Sequence, residues 1–359
     1  MKFRTIAINN KITMKFALLF VLLLTMLVIQ ACGSSGNAGV AATTTPSTTA
    51  GTDSPSATED GQDESAKKVP EKFTYLFVGA TGKQTGAEGW GFHTGIIPEV
   101  LAEYGIKEAE ALGGGTGPDI NEALLARRAD VATTGDTPQL LTRAAGNKTK
   151  LIGFTTTQNE SYLIAKKNGP TSVQELEGKT IAVVKGSIMH RYVVGLLSEN
   201  NIKANIINMG WPDSYAALAR GDIDAFSPAA YDYTSYRLVE EEGYPELDRG
   251  IDHPSLLATS VTVAREEFLN EYPDFVEAWT AARKAALDDL KAKPDDYYKF
   301  VSDVTGTPIE VAPILYPIDL IADGEVTEEG TARLKLAKDF LLDEQLAAGD
   351  FDLDAWIYN

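Results

Sequence analysis

The chain has 359 residues, with 51 Asp and Glu against 32 Lys and Arg, a formal net charge of −19, 44% hydrophobic residues and one cysteine. So acidic a surface repels nucleic acid and anionic lipid, and no basic block is present to track a phosphate backbone, so no nucleic-acid partner is expected. A single thiol allows no intrachain disulfide, and stability must come from a core that a chain of this length can bury unaided.

Residues 1–31 contain Lys2, Arg4, Lys11 and Lys15 and no acid, followed by the almost wholly apolar run 16–29. That is the pattern of a secretory leader, and the run is short for a permanent membrane span. Met14 followed by Lys15 offers a second start for the same signal. The leader ends in Ile29, Gln30, Ala31 and Cys32, which resembles the bacterial lipoprotein cleavage box; the resemblance implies that Cys32 is lipidated and begins the mature chain. Loss of the leader removes four positive charges and takes the net charge from −19 to −23. Residues 32–71 are rich in Gly, Ser and Thr with almost no large apolar side chain, including Thr43, Thr44, Thr45, Pro46, Ser47, Thr48 and Thr49. Such a segment cannot offset its chain entropy by burial and reads as a disordered tether.

From Phe73 onward short apolar runs alternate with amphipathic stretches, the signature of an α/β sheet. Strands are expected at 73–78, 129–133, 150–155, 162–165, 180–184, 204–208 and 225–227, with helices at 98–104, 119–127, 138–145, 172–176, 188–199 and 214–220. An internal echo relates Ser161, Tyr162, Leu163, Ile164, Ala165 and Lys166 to Ser260, Val261, Thr262, Val263, Ala264 and Arg265. If the two copies mark crossings between lobes, one lobe comprises 161–257 and the other 72–160 with 258–359. Beyond 265 the chain turns helical: 274–290 sets Phe275, Val276, Trp279, Ala282, Ala286, Leu287 and Leu290 on one core-facing side.

The search for catalytic constellations mostly eliminates. His93, His190 and His253 form no paired metal motif. Gly82 and Lys83 lack the Walker spacing, the Gly113–Gly117 run lacks the dinucleotide spacing, and no nucleophile elbow is present. What remains are helix starts preceded by small or hydroxylated residues, whose free N–H groups and dipole suit an anion. They are the loop 82–92, the turn Gly135, Asp136, Thr137, Pro138, and the turn Lys185, Gly186, Ser187. Lys185, His190 and Arg191 cluster at the third, where a first helical turn disfavours cations, as if an anion visits. Asp136 reads as a helix cap. Trp90, Trp211, Phe226, Tyr231 and Tyr233 are candidate walls of a cleft.

Gly135 to Pro138 with Ala144, Ala145 and Gly146, then "VQELEGKTIAVV" at 173–184 running into Lys185, Gly186, Ser187 and His190, and "YAALARGDIDA" at 215–225, together resemble the solute-binding lipoproteins of ABC importers. The resemblance is to the aliphatic sulfonate, nitrate and taurine-binding group and covers essentially 73–359. It implies an α/β, two-lobed periplasmic-binding-protein type II fold with a hinge near 155–159 and 257–259. It further implies a polar head held by Gln84, Thr85, Thr137 and Ser187 with N–H groups near Gly135 and Gly186, and a remainder packed on Trp90 and Tyr231. No enzymatic activity, metal or cofactor is implied. The expected partners are a small anionic solute, an ABC permease with its ATPase, and the membrane through the lipid anchor. The expected state is a monomer at the cell membrane facing outside the cytoplasm. Two departures leave the ligand open: Ala229, Ala230, Tyr231 and Asp232 stand where a Trp-Asp-Pro-Tyr type segment is common, and the first loop, 80–92, is long and Gly-rich. A thiamine-precursor-like heterocycle, or an enzyme on the same scaffold, are the alternatives.

Overall fold

The computed structural model describes residues 67–229 and 232–358; the leader, Cys32, most of the tether and Tyr231 lie outside the described residues. Two five-stranded sheets organise the chain. The first takes β1 (Lys72–Phe77), β2 (Glu108–Gly113), β3 (Val131–Gly135), β4 (Thr149–Asn159) and, from much later, β10 (Ala258–Arg265), in the order β2-β1-β3-β10-β4. β1 runs parallel to β2 and β3, while β10 is antiparallel to β3 and β4. The second sheet takes β5 (Tyr162–Ala165), β6 (Thr180–Val183), β7 (Asn205–Asn208), β8 (Ala225–Phe226) and β9 (Glu246–Arg249), in the order β7-β6-β8-β5-β9. The chain passes from one sheet to the other between Asn159 and Tyr162 and returns between Arg249 and Ala258.

Helices pack on both sheets. Around the first lie α1 (Gly86–Thr94), α2 (Ile96–Glu103), α3 (Gly117–Leu125) and α4 (Asp136–Ala144). The second carries α5 (Ile188–Glu199), α6 (Trp211–Arg220) and α7 (Tyr233–Glu240). After β10 follow α8 (Glu266–Glu271), α9 (Phe275–Ala292), α10 (Pro294–Thr305), α11 (Ala312–Leu315), α12 (Glu328–Asp343) and α13 (Leu353–Trp356). Among the described residues no helix is long and apolar enough to cross a membrane.

The pattern explains the layering. β1 is an interior strand covered on both faces, so Phe73, Tyr75, Leu76 and Phe77 are all buried. Phe73 meets Phe275 and Trp279 of α9 edge-on, at ring separations of 4.9 and 5.9 Å. The expected face of α9 is the one buried, with Ala278 and Arg283 added to it. Under the second sheet, Leu163 and Ile181 pack on Tyr192, Val193 and Leu196 of α5.

The segment 86–94 departs from expectation by being helical. Its three glycines argue against a helix by propensity, but tertiary packing needs them. A Cβ on Gly91 would stand 2.6 Å from both Ala286 and Ile97, and one on Gly89 would stand 2.2 Å from the Gln84 carbonyl oxygen. Glycine here lets α1 lie directly against α2 and α9.

Candidate functional site

A cavity of about 770 Å³ opens between the two sheets. Its first-sheet side is formed by the β1–α1 turn (Gly79, Lys83, Gln84, Thr85, Gly86), the β2–α3 turn (Gly115 to Gly117), Thr133 to Gly135, and Thr155, Thr156, Gln158 and Asn159. The other side is formed by Ser187, the cap of α5, with Ile188 and Met189 of its first turn, Gly210 to Pro212 at the start of α6, Tyr236, Val239 and Glu240 of α7, and Glu246 of β9. Tyr297, Leu315, Tyr316 and Ile321 close it from the C-terminal segment, and with Phe77, Tyr162 and Trp211 they make much of the wall aromatic or aliphatic. A volume of this order suits a small organic molecule.

Five helices of eight residues or more begin at this cavity: α1, α3, α4, α5 and α6. Four of them carry an acid in the first turn, namely Glu88, Asp119, Asp136 and Asp213. Such an acid offsets the positive end of its own helix. α5 has none. Its cap Ser187 accepts from the His190 N–H at 3.3 Å, while the N–H groups of Ile188 and Met189 have no acceptor among the described residues. Ser187, Ile188 and Met189 all line the cavity. Beside them the His190 imidazole is held below its usual range by burial and then by the charge of Lys185. Its Nδ1 accepts from the Gly186 N–H at 3.3 Å, which leaves the ring proton on Nε2.

The structure separates the expected ligand contacts into two groups. Gln84, Thr85, Gly135 and Ser187 line the cavity. Gln84 directs its Nε2 to the Tyr75 hydroxyl at 2.6 Å, and the N–H of Gly86, first in α1, donates to the Tyr297 hydroxyl at 3.0 Å. Thr137, Gly186 and Trp90 are not part of the wall. Trp90 is 5% exposed, packs edge-on against Tyr297 and Phe300, and donates its indole N–H to Asp289 at 2.9 Å. Helix formation at 86–94 turns the indole away from the cavity and toward α9 and α10. Tyr231 lies outside the described residues. Of the other candidate wall aromatics, Trp211 lines the cavity, Phe226 is fully buried, and Tyr233 is not part of the wall but stacks on Tyr236, which is.

Thr137 has a different task, and so do Asp136 and Arg191. Gly135, not Asp136, occupies the N-cap of α4. Asp136 instead faces Arg191 of α5: the guanidinium Nη2 lies 3.3 and 3.2 Å from the two carboxylate oxygens, with both side chains buried. Arg191 Nε donates to the Thr137 hydroxyl at 2.9 Å, which itself donates to Asp136 at 2.9 Å. The N–H of Thr259 adds a bond to the carboxylate at 2.8 Å, and the Leu257 carbonyl accepts from Arg191 at 3.4 Å. The cation at the start of α5 therefore answers an acid on α4 across the two sheets, and is not displayed to a visiting anion. On the far wall Arg249 joins Glu160 through Nε at 3.0 Å and Nη2 at 3.2 Å. Glu246 beside them is held above the usual carboxylate range by burial, against the pull of Arg249, and further by Glu160 and Glu240.

Sequence reasoning missed several members of the wall. Thr116 and Asp119 form a reciprocal capping box at the start of α3, and their Thr-x-x-Asp spacing was a readable signal. Nothing local announces Tyr297 or Tyr316, which reach the cavity from more than two hundred residues downstream of β1. Among the described residues no group of three His, Cys, Asp or Glu side chains is disposed to hold a metal.

The family model described as NMT1/THI5 like matches residues 112–297, just over half of the chain. The chain belongs to the NMT1/THI5-like family. Among curated proteins, this NMT1/THI5-like chain is 29% identical over 116 residues to one from Escherichia coli (strain K12) named as an aliphatic sulfonates-binding protein. That match covers 31% of this chain and 36% of the relative. A protein of the same name from Bacillus subtilis (strain 168) is 28% identical over 196 residues, 53% of this chain and 58% of that one. The chain thus spans well under two thirds of the length of each.

The alkanesulfonate-binding protein SsuA from Xanthomonas axonopodis pv. citri, solved bound to MOPS, superposes with a TM-score of 0.68 at 16% identity, over 81% of this chain and 99% of that one. The desulfurization enzyme DszB superposes with a TM-score of 0.61 at 15% identity, over 80% of this chain and 96% of its own. The NMT1/THI5-like chain therefore has the two-lobed periplasmic-binding-protein fold, a scaffold that also carries an enzyme.

Proposed function

We propose that this protein is the extracytoplasmic solute receptor of an ABC importer, capturing a small organic anion, of the sulfonate class, in the cavity between its sheets. One lobe comprises 72–160 with 258–359 and the other 161–257. The lobes hinge near 155–159 and 257–259, and closure draws on contacts that a bound solute makes with both. The protein acts as a monomer held at the cell membrane by a lipid on Cys32, presents its solute to a permease, and performs no chemistry on it.

The observation that carries this reading is the start of α5, where Ser187, Ile188 and Met189 line the cavity and no acid stands in the first turn. Two donating N–H groups, the helix dipole and an apolar aromatic chamber beyond them suit an oxyanion with an organic body. The names of the two curated relatives support the sulfonate class.

Ser187→Asp tests it. Aspartate caps a helix as well as serine does, so thermal stability without solute is expected to stay within a few degrees of the parent. The added charge meets the anion head-on, so affinity for an organic sulfonate is expected to fall by about a hundredfold or more, given a like-charge cost of several kcal/mol at an interface. Unchanged affinity would remove the α5 start from the site.

A further inference from the structure

Among the described residues Glu88 is the one acid that is both almost fully buried, at 3% exposed, and part of the cavity wall. It stands in the first turn of α1, where the dipole favours it, and it has a counter-ion in Arg283 of α9. That pairing is one-handed. Arg283 Nε donates to Oε1 at 2.8 Å, Nη1 goes to the Ala322 carbonyl at 2.6 Å, and Nη2 is buried without a partner. Oε2 therefore receives no hydrogen bond from any described residue. The chamber beside it is largely apolar, and a solute that brings a donor to this oxygen gains a charge-assisted hydrogen bond.

The β1–α1 turn also brings one exposed cation, Lys83, to the cavity wall, away from the buried Glu88. The Gly86 N–H is already committed to Tyr297, the Gln84 amide to Tyr75, and the charge of Glu88 stands in the same turn. An oxyanion approaching here would meet a carboxylate. The buried end of the α1 turn thus calls for a hydrogen-bond donor, whereas the α5 start presents N–H donors of its own.

Resting on the reading above that this cavity holds the solute, we infer that Glu88 is a specificity-determining residue. It selects solutes bearing an N–H donor or cationic nitrogen in addition to the acid group, over simple anions and plain alkanesulfonates. A site built to hydrogen-bond a substrate group rejects the analogue that lacks it far more strongly than an apolar pocket rejects a missing methylene.

The experiment is titration calorimetry of the full mature chain with two matched pairs of probes. The pairs are 3-aminopropanesulfonate against butane-1-sulfonate, and 3-(cyclohexylamino)propanesulfonate against 4-cyclohexylbutanesulfonate. In each, nitrogen is replaced by carbon and the acid group is kept. The nitrogen-bearing member of at least one pair is expected to bind about tenfold or more tightly than its carbon counterpart, the range of a hydrogen bond to a charged group. Glu88→Gln is expected to abolish that preference, so that the two members of each pair bind alike. Because Glu88→Gln leaves Arg283 buried without a counter-charge and can fail to fold, Glu88→Leu/Arg283→Leu removes both charges and carries the same expectation. Equal binding within both pairs, or a preference that survives either variant, overturns the role of Glu88 and leaves the sulfonate receptor standing. Absence of binding by all four probes to the parent overturns the receptor reading and this inference with it.

Discussion

Replacing Arg191 by Met tests the account of the buried link between α4 and α5. In the parent, the guanidinium makes contacts of 3.3 and 3.2 Å to Asp136, 2.9 Å to Thr137 and 3.4 Å to the Leu257 carbonyl, with its side chain fully buried. Met fills a similar volume but leaves the Asp136 carboxylate with only the Thr259 and Thr137 donors and no counter-charge. Leaving one partner of a buried pair uncompensated costs about 3–5 kcal/mol. With a urea slope near the top of the range of about 1–3 kcal/mol per molar, the unfolding midpoint should drop by about 1–2 M. Adding Asp136→Asn removes the stranded charge while its carbonyl oxygen still accepts from Thr259. The double variant should therefore recover part of the loss, with a coupling of about 1–3 kcal/mol between the sites. The assay is urea denaturation of all four proteins followed by circular dichroism. A midpoint shift below about 0.3 M for Arg191→Met, or strictly additive single changes, would refute the idea that this pair is a buried tie between the sheets.

Two further outcomes are expected. His253 bridges Glu199 at 2.9 Å and Asp248 at 3.1 Å; burial pulls its pKa down, but hydrogen bonds and charge from Asp248 and then Glu199 outweigh this and hold it above the usual 6.5. A raised folded-state pKa makes its stabilisation complete below 6.5 and lost as pH rises through the folded value. The parent should accordingly exceed His253→Gln in thermal midpoint at about pH 5.5 and lose that advantage by about pH 9, and a gap that widens with pH would contradict the linkage. Gly153→Ala would put a Cβ 1.9 Å from the Gly324 carbonyl oxygen, so a loss of about 1–3 kcal/mol in urea unfolding is expected, and a neutral result would contradict the close approach of that loop to β4.

How much of this was legible follows from where the signals lie. β1, β5 and α5 were readable because their apolar periods are local, and α9 announced its buried face through Trp279, Ala282 and Ala286. β2 was not, because an edge strand reading Glu108, Ala109, Glu110 leaves its acidic side chains outward and looks polar. α1 was hidden by its glycines, whose value appears only when α9 lies against them. In the site, the Gly135 and Ser187 turns could be read from small and hydroxylated residues before a helix, whereas Gln84 and Thr85 were named by family resemblance alone. Asp136 and Arg191 are 55 residues apart and reveal their partnership only once two sheets face each other. The Gly-rich neighbours of Trp90 suggested an exposed loop, whereas the helix they form turns the indole into a cluster of aromatic rings. Glu88 looked like one acid among 51, and its distinction is burial at the cavity wall, which no local pattern encodes.

The central claim is that the cavity captures a small organic sulfonate. Its most direct test is titration calorimetry of ligand-free mature protein against the sulfonate probes, with thermal unfolding in parallel. The account expects saturable binding of one solute per chain. A solute at about a hundred times its Kd should stabilise the fold by about 2.7 kcal/mol and raise the midpoint accordingly. No heat and no midpoint shift with any organic sulfonate at millimolar concentration, from protein shown to be folded and empty, would contradict it.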